Sequence, residues 1–340
     1  MNVVAIGGGT GLATLLRGLK RHVAGGAASQ RMAAIRSLAA IVTVTDEGGS
    51  SGRLRRDFRM LPPGDIRNCL VALAEDETLF AKLFNYRFKS GLGLRGHNFG
   101  NLFLTALTHL TGDFSKAVRL SSEILAIEGE IFPSTLADIH LKAKLRDGRT
   151  IYGESRITKT SVPIATLSIV PRRCKPLPEA LAALKAADLI TVGPGSLYTS
   201  LIPNLLVEGI SDAISRSQAL KLYIGNLMTQ PGETHRYSAA DHLIALHKHA
   251  GGKIFDGMIL STTRFSSTME RRYASQRAGP VVNDFDQIEA LGVRPIPANL
   301  LAADHVARHD SERIARLLLS LTSGGKPLDD LPHGRPRKAQ

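Results

Sequence analysis

Val3-Val4-Ala5-Ile6-Gly7-Gly8-Gly9-Thr10-Gly11-Leu12 is a short apolar run closed by glycines, after which Leu15, Leu16 and Leu19 continue at helical spacing. The period changes across the glycines from that of a buried strand to that of a helix, which predicts strand, loop, helix. A second apolar run, Ile41-Val42-Thr43-Val44-Thr45, ends in Asp46-Glu47-Gly48-Gly49-Ser50-Ser51-Gly52. Two short strands joined by a helix make a parallel βαβ unit. The pattern resumes downstream. Leu177 to Ala187 reads as a helix, and Asp188 to Val192 as a strand closed by Gly193-Pro194-Gly195-Ser196. Leu220 to Ile224 reads as a strand closed by Gly225-Asn226, Ser238 to His249 as a helix, and Gly257 to Leu260 as a further strand. The expected fold class is α/β, a Rossmann-like doubly wound, mostly parallel sheet.

Two stretches break the alternation. From about residue 65 to 125 the pattern is helical, with Ile66, Leu70 and Leu73 on one face, and Gly91 to Asn98 interrupt it before the apolar helix Phe99 to Leu110. From about 131 to 170, Ile139, Leu141, Ala143 and Leu145 alternate, Asp147-Gly148 marks a hairpin, and Ile151 begins a return strand. These read as a helical insertion and a small antiparallel excursion within one domain spanning 1–323. A last helix is expected from Glu312 to Leu321 with Ser311 as N-cap, and 324–340 as a basic, proline-rich tail.

The 340 residues are 43% hydrophobic and 21% charged, which excludes global disorder and allows a full core. No run of eighteen apolar residues occurs, so no membrane span is expected. The N-terminus lacks the basic region of a secretory signal, and Cys69 and Cys174 show no metal-ligand spacing, which reads as a reduced, cytoplasmic protein. The net charge of +13 is scattered, densest at Arg53 to Arg56, Arg172 to Lys175, Arg271-Arg272 and Arg335 to Lys338. With no Trp and 5% aromatics there is little to stack a base on, so nucleic acid is not an expected partner. The surplus reads as a solvated surface, or as a field attracting a small phosphorylated anion.

The strand-end loops lie where open α/β sheets bind ligands. Gly8, Gly9, Thr10 and Gly11 offer close backbone approach and free N–H groups at a helix start, which suits a phosphate. The loop is neither a dinucleotide fingerprint, since Leu12 stands where the third glycine belongs, nor a P-loop, since no Gly-Lys-Ser/Thr follows. Gly193, Gly195 and Ser196 form a second such loop. The first alone reads equally as a tight turn and the second alone usually as one; together they point to a nucleoside diphosphate. Asp46 and Glu47 read as an exposed turn or as carboxylates holding Mg²⁺ with substrate phosphates, which makes Mg²⁺ the candidate cofactor. Arg53 is a candidate phosphate ligand. Asp65 reads as the N-cap of the following helix or, with Asp46, as a catalytic candidate; Arg67 and Asn68 can turn toward a ligand. His97 and Asn98 sit similarly before Phe99. His242, His247 and His249 share a helix without a second ligand cluster, so zinc is not expected.

Taken in order, the loops at Ala5 to Leu12, Val42 to Arg55, Pro62 to Leu73, Gly96 to Leu104, Val192 to Ile210 and Asn226 to Thr234 resemble the bacterial gluconeogenesis factor family. This is the YvcK branch of the YvcK/CofD-like proteins, and the likeness spans about residues 1–320. The resemblance implies a cytoplasmic Rossmann-like protein that binds UDP-N-acetylglucosamine and related UDP-sugars. It implies a role in cell shape and peptidoglycan synthesis on gluconeogenic carbon sources, with cell-wall synthesis proteins as partners. It also implies that Tyr273, within Arg272-Tyr273-Ala274, and Arg308, within Ala307-Arg308-His309, touch the ligand. Asn226, the N-terminal loop and the Gly193–Ser196 loop would line the same cleft. The CofD branch instead transfers phospholactate to a deazaflavin with Mg²⁺. Three departures stand out: Asp46-Glu47 replaces the family's Asp-Asp, residues 24–36 look inserted, and His235-Arg236 follows Thr234. Two functions follow, a UDP-sugar sensor without turnover and a Mg²⁺-dependent phosphotransferase, with the motifs of 66–125 favouring the sensor. An NAD-dependent oxidoreductase would need the complete fingerprint. A homo-oligomer is left open.

Overall fold

The computed structural model describes residues 1–24, 34–74, 79–304 and 306–323. Its strands are β1 (Asn2–Gly7), β2 (Ser37–Val42), β3 (Glu130–Pro133), β4 (His140–Leu145), β5 (Thr150–Tyr152), β6 (Ile164–Val170), β7 (Leu189–Val192), β8 (Leu220–Ile224), β9 (Gly257–Ser261) and β10 (Arg294–Ala298). Seven form one sheet in the order β10-β9-β8-β7-β1-β2-β3, and every neighbouring pair is parallel. β7 is buried at every position and β1 at all but its first, as a parallel sheet covered on both faces requires.

The order explains where a ligand can enter. The chain lays β1, β2 and β3 outward in one direction, then returns past β1 to lay β7, β8, β9 and β10 in the other. β1 and β7 are adjacent, with Ile6 opposite Val192, so the loops leaving their C-terminal ends diverge at the switch point. The helix Gly9–Leu19 follows β1, and both Gly64–Leu73 and Ser311–Ser323 pack on it. The 65–125 region therefore contributes its first helix to the main layer, with Leu79–Asn85, Phe99–Thr111 and Phe114–Ile124 beyond it.

Several boundaries differ from expectation for physical reasons. β2 runs over Ser37–Val42, earlier than the apolar run 41–45, because Thr43 and Thr45 lie past the strand and are held by their hydroxyls. Thr45 Oγ1 donates to the Thr199 carbonyl at 3.1 Å, so this buried stretch is a loop, not sheet. Glu130–Pro133 is not part of the antiparallel excursion but the edge strand beside β2. The separate sheet, ordered β5-β4-β6, begins at His140. β10 carries no strand signal in the sequence because Pro295 and Pro297 interrupt its pattern; proline is tolerated at a sheet edge. The last helix is capped by Asp310, not Ser311: Asp310 Oδ1 accepts from the Glu312 and Arg313 N–H groups at 3.1 and 3.0 Å. Within the 24–36 segment, Val23 and Ile35 bridge and the Ala24 N–H donates to the Ile35 carbonyl at 2.8 Å. Residues 25–33, and the tail 324–340, lie outside the described residues.

The small sheet is clamped to the body from two sides. Buried Arg55 donates to Asp138 Oδ1 and to the Ile139 carbonyl. On the other side the Leu167 N–H donates to His249 Nε2 at 2.8 Å. Arg55→Ala strands the Ile139 carbonyl and should cost about 1–3 kcal/mol, read from urea unfolding. Asp138 is largely exposed, so Asp138→Ala should cost under about 1 kcal/mol.

Candidate functional site

A cleft of about 680 Å³ opens at the switch point. Gly8 to Gly11 and Pro194 to Ser196 form its floor, Asp46 and Asp65 one wall, and Glu154 and Thr158 reach it from the small sheet. Asn226, Gln230 and Glu233 also line it, with Tyr273 and exposed Arg308 at its rim and buried His309 beside them. Gly193, next to Pro194 in the chain, does not line it.

Two glycines are fixed by close approach. A Cβ on Gly11 would overlap the Pro194 carbonyl and lie 3.2 Å from the Gly195 Cα, so the two loops touch backbone to backbone there. A Cβ on Gly8 would lie 2.6 Å from Asp65 Oδ2 and from Thr43 Cγ2. The second loop is pinned by side chains. Asn226 Oδ1 accepts from the Gly195 N–H at 3.4 Å and Gln230 Nε2 donates to Ser196 Oγ at 2.8 Å. Buried Glu233 accepts from the Tyr198 N–H and Thr199 Oγ1, and its burial raises its pKa.

Asp65 is not the helix cap. Its helix begins at Gly64 with Pro63 in the cap position, and the Asp65 carboxylate instead accepts from the Gly9 backbone N–H. Burial, then the charge of Asp46, pushes its pKa up to about 7; Glu154 adds to the rise and Arg67 opposes it. Glu154 is pushed up to about 7 by burial, aided by Asp46 and Glu233. Glu47 faces away from the cleft: its Oε1 lies 2.9 Å from His140 Nδ1, and only its backbone N–H points inward, to Glu154 Oε2 at 2.9 Å. The carboxylate that joins Asp46 is therefore Asp65, with Glu154 beyond. Asp46 Oδ1 itself accepts from the Gly48 N–H at 2.8 Å.

Other sequence candidates serve the scaffold. Arg53 Nη2 donates to the Arg95 carbonyl at 3.0 Å, outside the cleft. Buried Asn98 caps the helix Phe99–Thr111 by accepting from the Asn101 N–H, also outside it. Arg67 donates to Asn85 Oδ1, and His97 Nδ1 pairs with Ser50 Oγ. His242 and His249 each bond back to a carbonyl one turn earlier in their helix. Tyr273 and Arg308, in contrast, are brought together: the Tyr273 hydroxyl accepts from the Ala307 N–H at 3.0 Å, so its ring holds the segment that presents Arg308. Arg308 is exposed, with Nη1 3.9 Å from Asp304 Oδ2. His309 is buried against the Gly225 carbonyl, and burial lowers its pKa to about 4.

Among the described residues, no group of three or more His, Cys, Asp or Glu is placed to hold a metal. Asp46 and Asp65 suit Mg²⁺ only in company: Mg²⁺ takes one or two carboxylates and completes its shell with water and substrate phosphates. Burial first and the charge of Asp46 second raise Asp65, and such a cation would relieve the second.

The raised carboxyls make a pH prediction. Their ordinary values are 3.8 for Asp65 and 4.5 for Glu154, so between about pH 4 and 7 the folded chain holds more protons than the unfolded one. Their contribution to stability thus falls as pH rises through that window and levels off above it. Asp65→Asn, whose amide oxygen can still accept from Gly9, should flatten the slope. Urea midpoints at about pH 5 and about pH 8 give the comparison.

A family model described as 2-phospho-L-lactate transferase CofD matches residues 3–301. The gluconeogenesis factor of Halalkalibacterium halodurans is 45% identical over 327 residues, which is 96% of this chain and 97% of that protein. The chain belongs to the gluconeogenesis factor family of CofD-like proteins. The Bacillus subtilis gluconeogenesis factor is 42% identical over 94% of this chain and 97% of its own length. A crystal structure of a Bacillus halodurans protein superposes with a TM-score of 0.88 at 44% identity, covering 94% of this chain and 99% of that one. The family's α/β fold is thus shared. Among the described residues no helix is long and apolar enough to cross a membrane.

Proposed function

We propose that this member of the gluconeogenesis factor family is a UDP-sugar-binding regulatory protein, with UDP-N-acetylglucosamine as its ligand, needed for cell shape and peptidoglycan synthesis during gluconeogenic growth. Binding, not turnover, is its output. The observation that carries the reading is the meeting of two glycine loops at the switch point beneath a rim formed by Tyr273 and Arg308. Backbone N–H groups at the helix start Gly9–Leu19 suit a diphosphate, and Arg308 can pair with it as a fork. The Tyr273 ring can stack on uracil. The cleft volume is within the range of small-molecule sites, roughly 300–1,000 Å³.

A Mg²⁺-dependent phosphotransferase, the second reading, is supported by the CofD family model and by the adjacency of Asp46 and Asp65. Incubation with UDP-N-acetylglucosamine and Mg²⁺, followed by chromatography of the recovered nucleotide, separates them. The sensor returns the ligand intact and gains about 2.7 kcal/mol of stability at a hundredfold excess over Kd. Release of UDP or of a sugar phosphate would overturn the sensor reading.

A further inference from the structure

The helical region beyond the cleft carries an apolar surface that the nucleotide site does not use. Leu79, Phe80 and Leu83, with Tyr86 just past the helix end, fall on one face of Leu79–Asn85 and are 81%, 39%, 37% and 50% exposed. The stripe runs into a protruding loop through Tyr86, whose ring meets Phe88 edge-on at 5.2 Å. The loop is closed at its base by the Gly96 N–H on the Phe88 carbonyl at 2.8 Å, and by Arg53 on the Arg95 carbonyl. At its tip Leu92 is fully exposed between Gly91 and Gly93, with Leu94 beside it. Lys82, Arg87, Lys89 and Arg95 are interleaved with these apolar residues, and no acidic residue occurs from Leu79 to Gly96. Glu75, Asp76 and Glu77 precede the segment and lie outside the described residues.

We propose that the Leu79–Gly96 face docks this protein on an anionic lipid surface. The assignment is independent of the nucleotide reading. A contiguous exposed apolar patch on a water-facing protein marks an interaction site. Charge decides against a second copy, since a two-fold contact would set Lys82, Arg87, Lys89 and Arg95 against their own equivalents. Shape decides for lipid: Leu92 stands fully exposed at the tip of a glycine-flanked loop, and a soft interface accepts such a tip. Interfacial binding combines shallow apolar insertion with attraction of basic residues to anionic headgroups, and tyrosine favours the headgroup level.

The test is flotation of the full chain with phosphatidylcholine vesicles, pure or carrying about 30% phosphatidylglycerol to supply the surface potential. The expected result is binding to the anionic vesicles alone, weakened by salt. Each basic residue near the surface contributes roughly fivefold, so Lys82→Glu with Lys89→Glu should reduce the bound fraction at least about tenfold. Leu92→Asp, at a fully exposed position where folding is indifferent, should also reduce it. Equal binding to both vesicles, binding to neither, or anionic binding unmoved by Leu92→Asp and by the charge reversals would overturn the proposal. So would a dimer in light scattering that Leu92→Asp converts to monomer, which would give the face to a second copy.

Discussion

Gly11→Ala should abolish measurable UDP-N-acetylglucosamine binding while leaving a folded protein. The added methyl has no flexible neighbour to displace: it meets the Pro194 carbonyl and the Gly195 Cα, both main chain. The loops after β1 and β7 must separate, and overpacking of this kind costs about 1–3 kcal/mol of stability. On the proposed reading the loss of affinity should be larger than that of stability, because both loops border the diphosphate and a displacement of about 1 Å misaligns several hydrogen bonds together. We expect a loss of at least about a hundredfold, since each hydrogen bond to a charged group contributes roughly 1.5–3 kcal/mol. Affinity within a few fold of the parent chain would show that the two loops do not cradle the diphosphate.

Arg308→Ala should give the second largest effect and a different signature. Arg308 is exposed, so its removal should leave the unfolding midpoint nearly unchanged. Arg308 lines the cleft, and if it pairs with the diphosphate as proposed, loss of that charge-assisted pair should weaken binding about ten- to a hundredfold. Tyr273 separates two roles. Tyr273→Phe keeps the ring but loses the hydroxyl that accepts from Ala307, so it should loosen the Arg308 segment and weaken binding only modestly. Tyr273→Ala loses the stacking surface as well. Because the Tyr273 hydroxyl holds the segment that carries Arg308, the two substitutions should be non-additive, and titration calorimetry on the double variant measures the coupling. Full additivity would break the link between them.

The parallel core was legible because β1, β7 and β8 are largely apolar runs closed by glycine and β9 is one opened by it, and those runs lie in the sheet with shifts of one residue or so. Where burial came without a sheet, as at Thr43 and Thr45, apolar content misled, since hydroxyls bonded to one another and to a distant carbonyl satisfy a buried loop as well as a ladder does. β10 was invisible because its prolines erase the strand signal. The loops that line the cleft could be read from glycine and strand ends, but the direction of a side chain could not. Asp65 and a good N-cap look alike in sequence; only the fold shows its carboxylate turned to Gly9. Glu47 sits beside Asp46 in the chain yet pairs with His140 from the small sheet, a residue ninety-three positions away. Glu154 went unnoticed for the converse reason: nothing local marks it, and it reaches Asp46 only because the small sheet folds back over the cleft. Arg53 and Asn98 had the right residue types in glycine-rich surroundings, but each is consumed by a backbone partner of the helical region.

The most direct test is calorimetric titration of the full chain with UDP-N-acetylglucosamine, with and without Mg²⁺, beside GDP as competitor. The expected result is one site per chain, tight binding that survives without Mg²⁺, a ligand recovered unchanged, and weak competition by GDP. An absence of binding, or preference for the guanosine nucleotide with an obligatory need for Mg²⁺, would contradict it and assign the cleft to phosphoryl transfer.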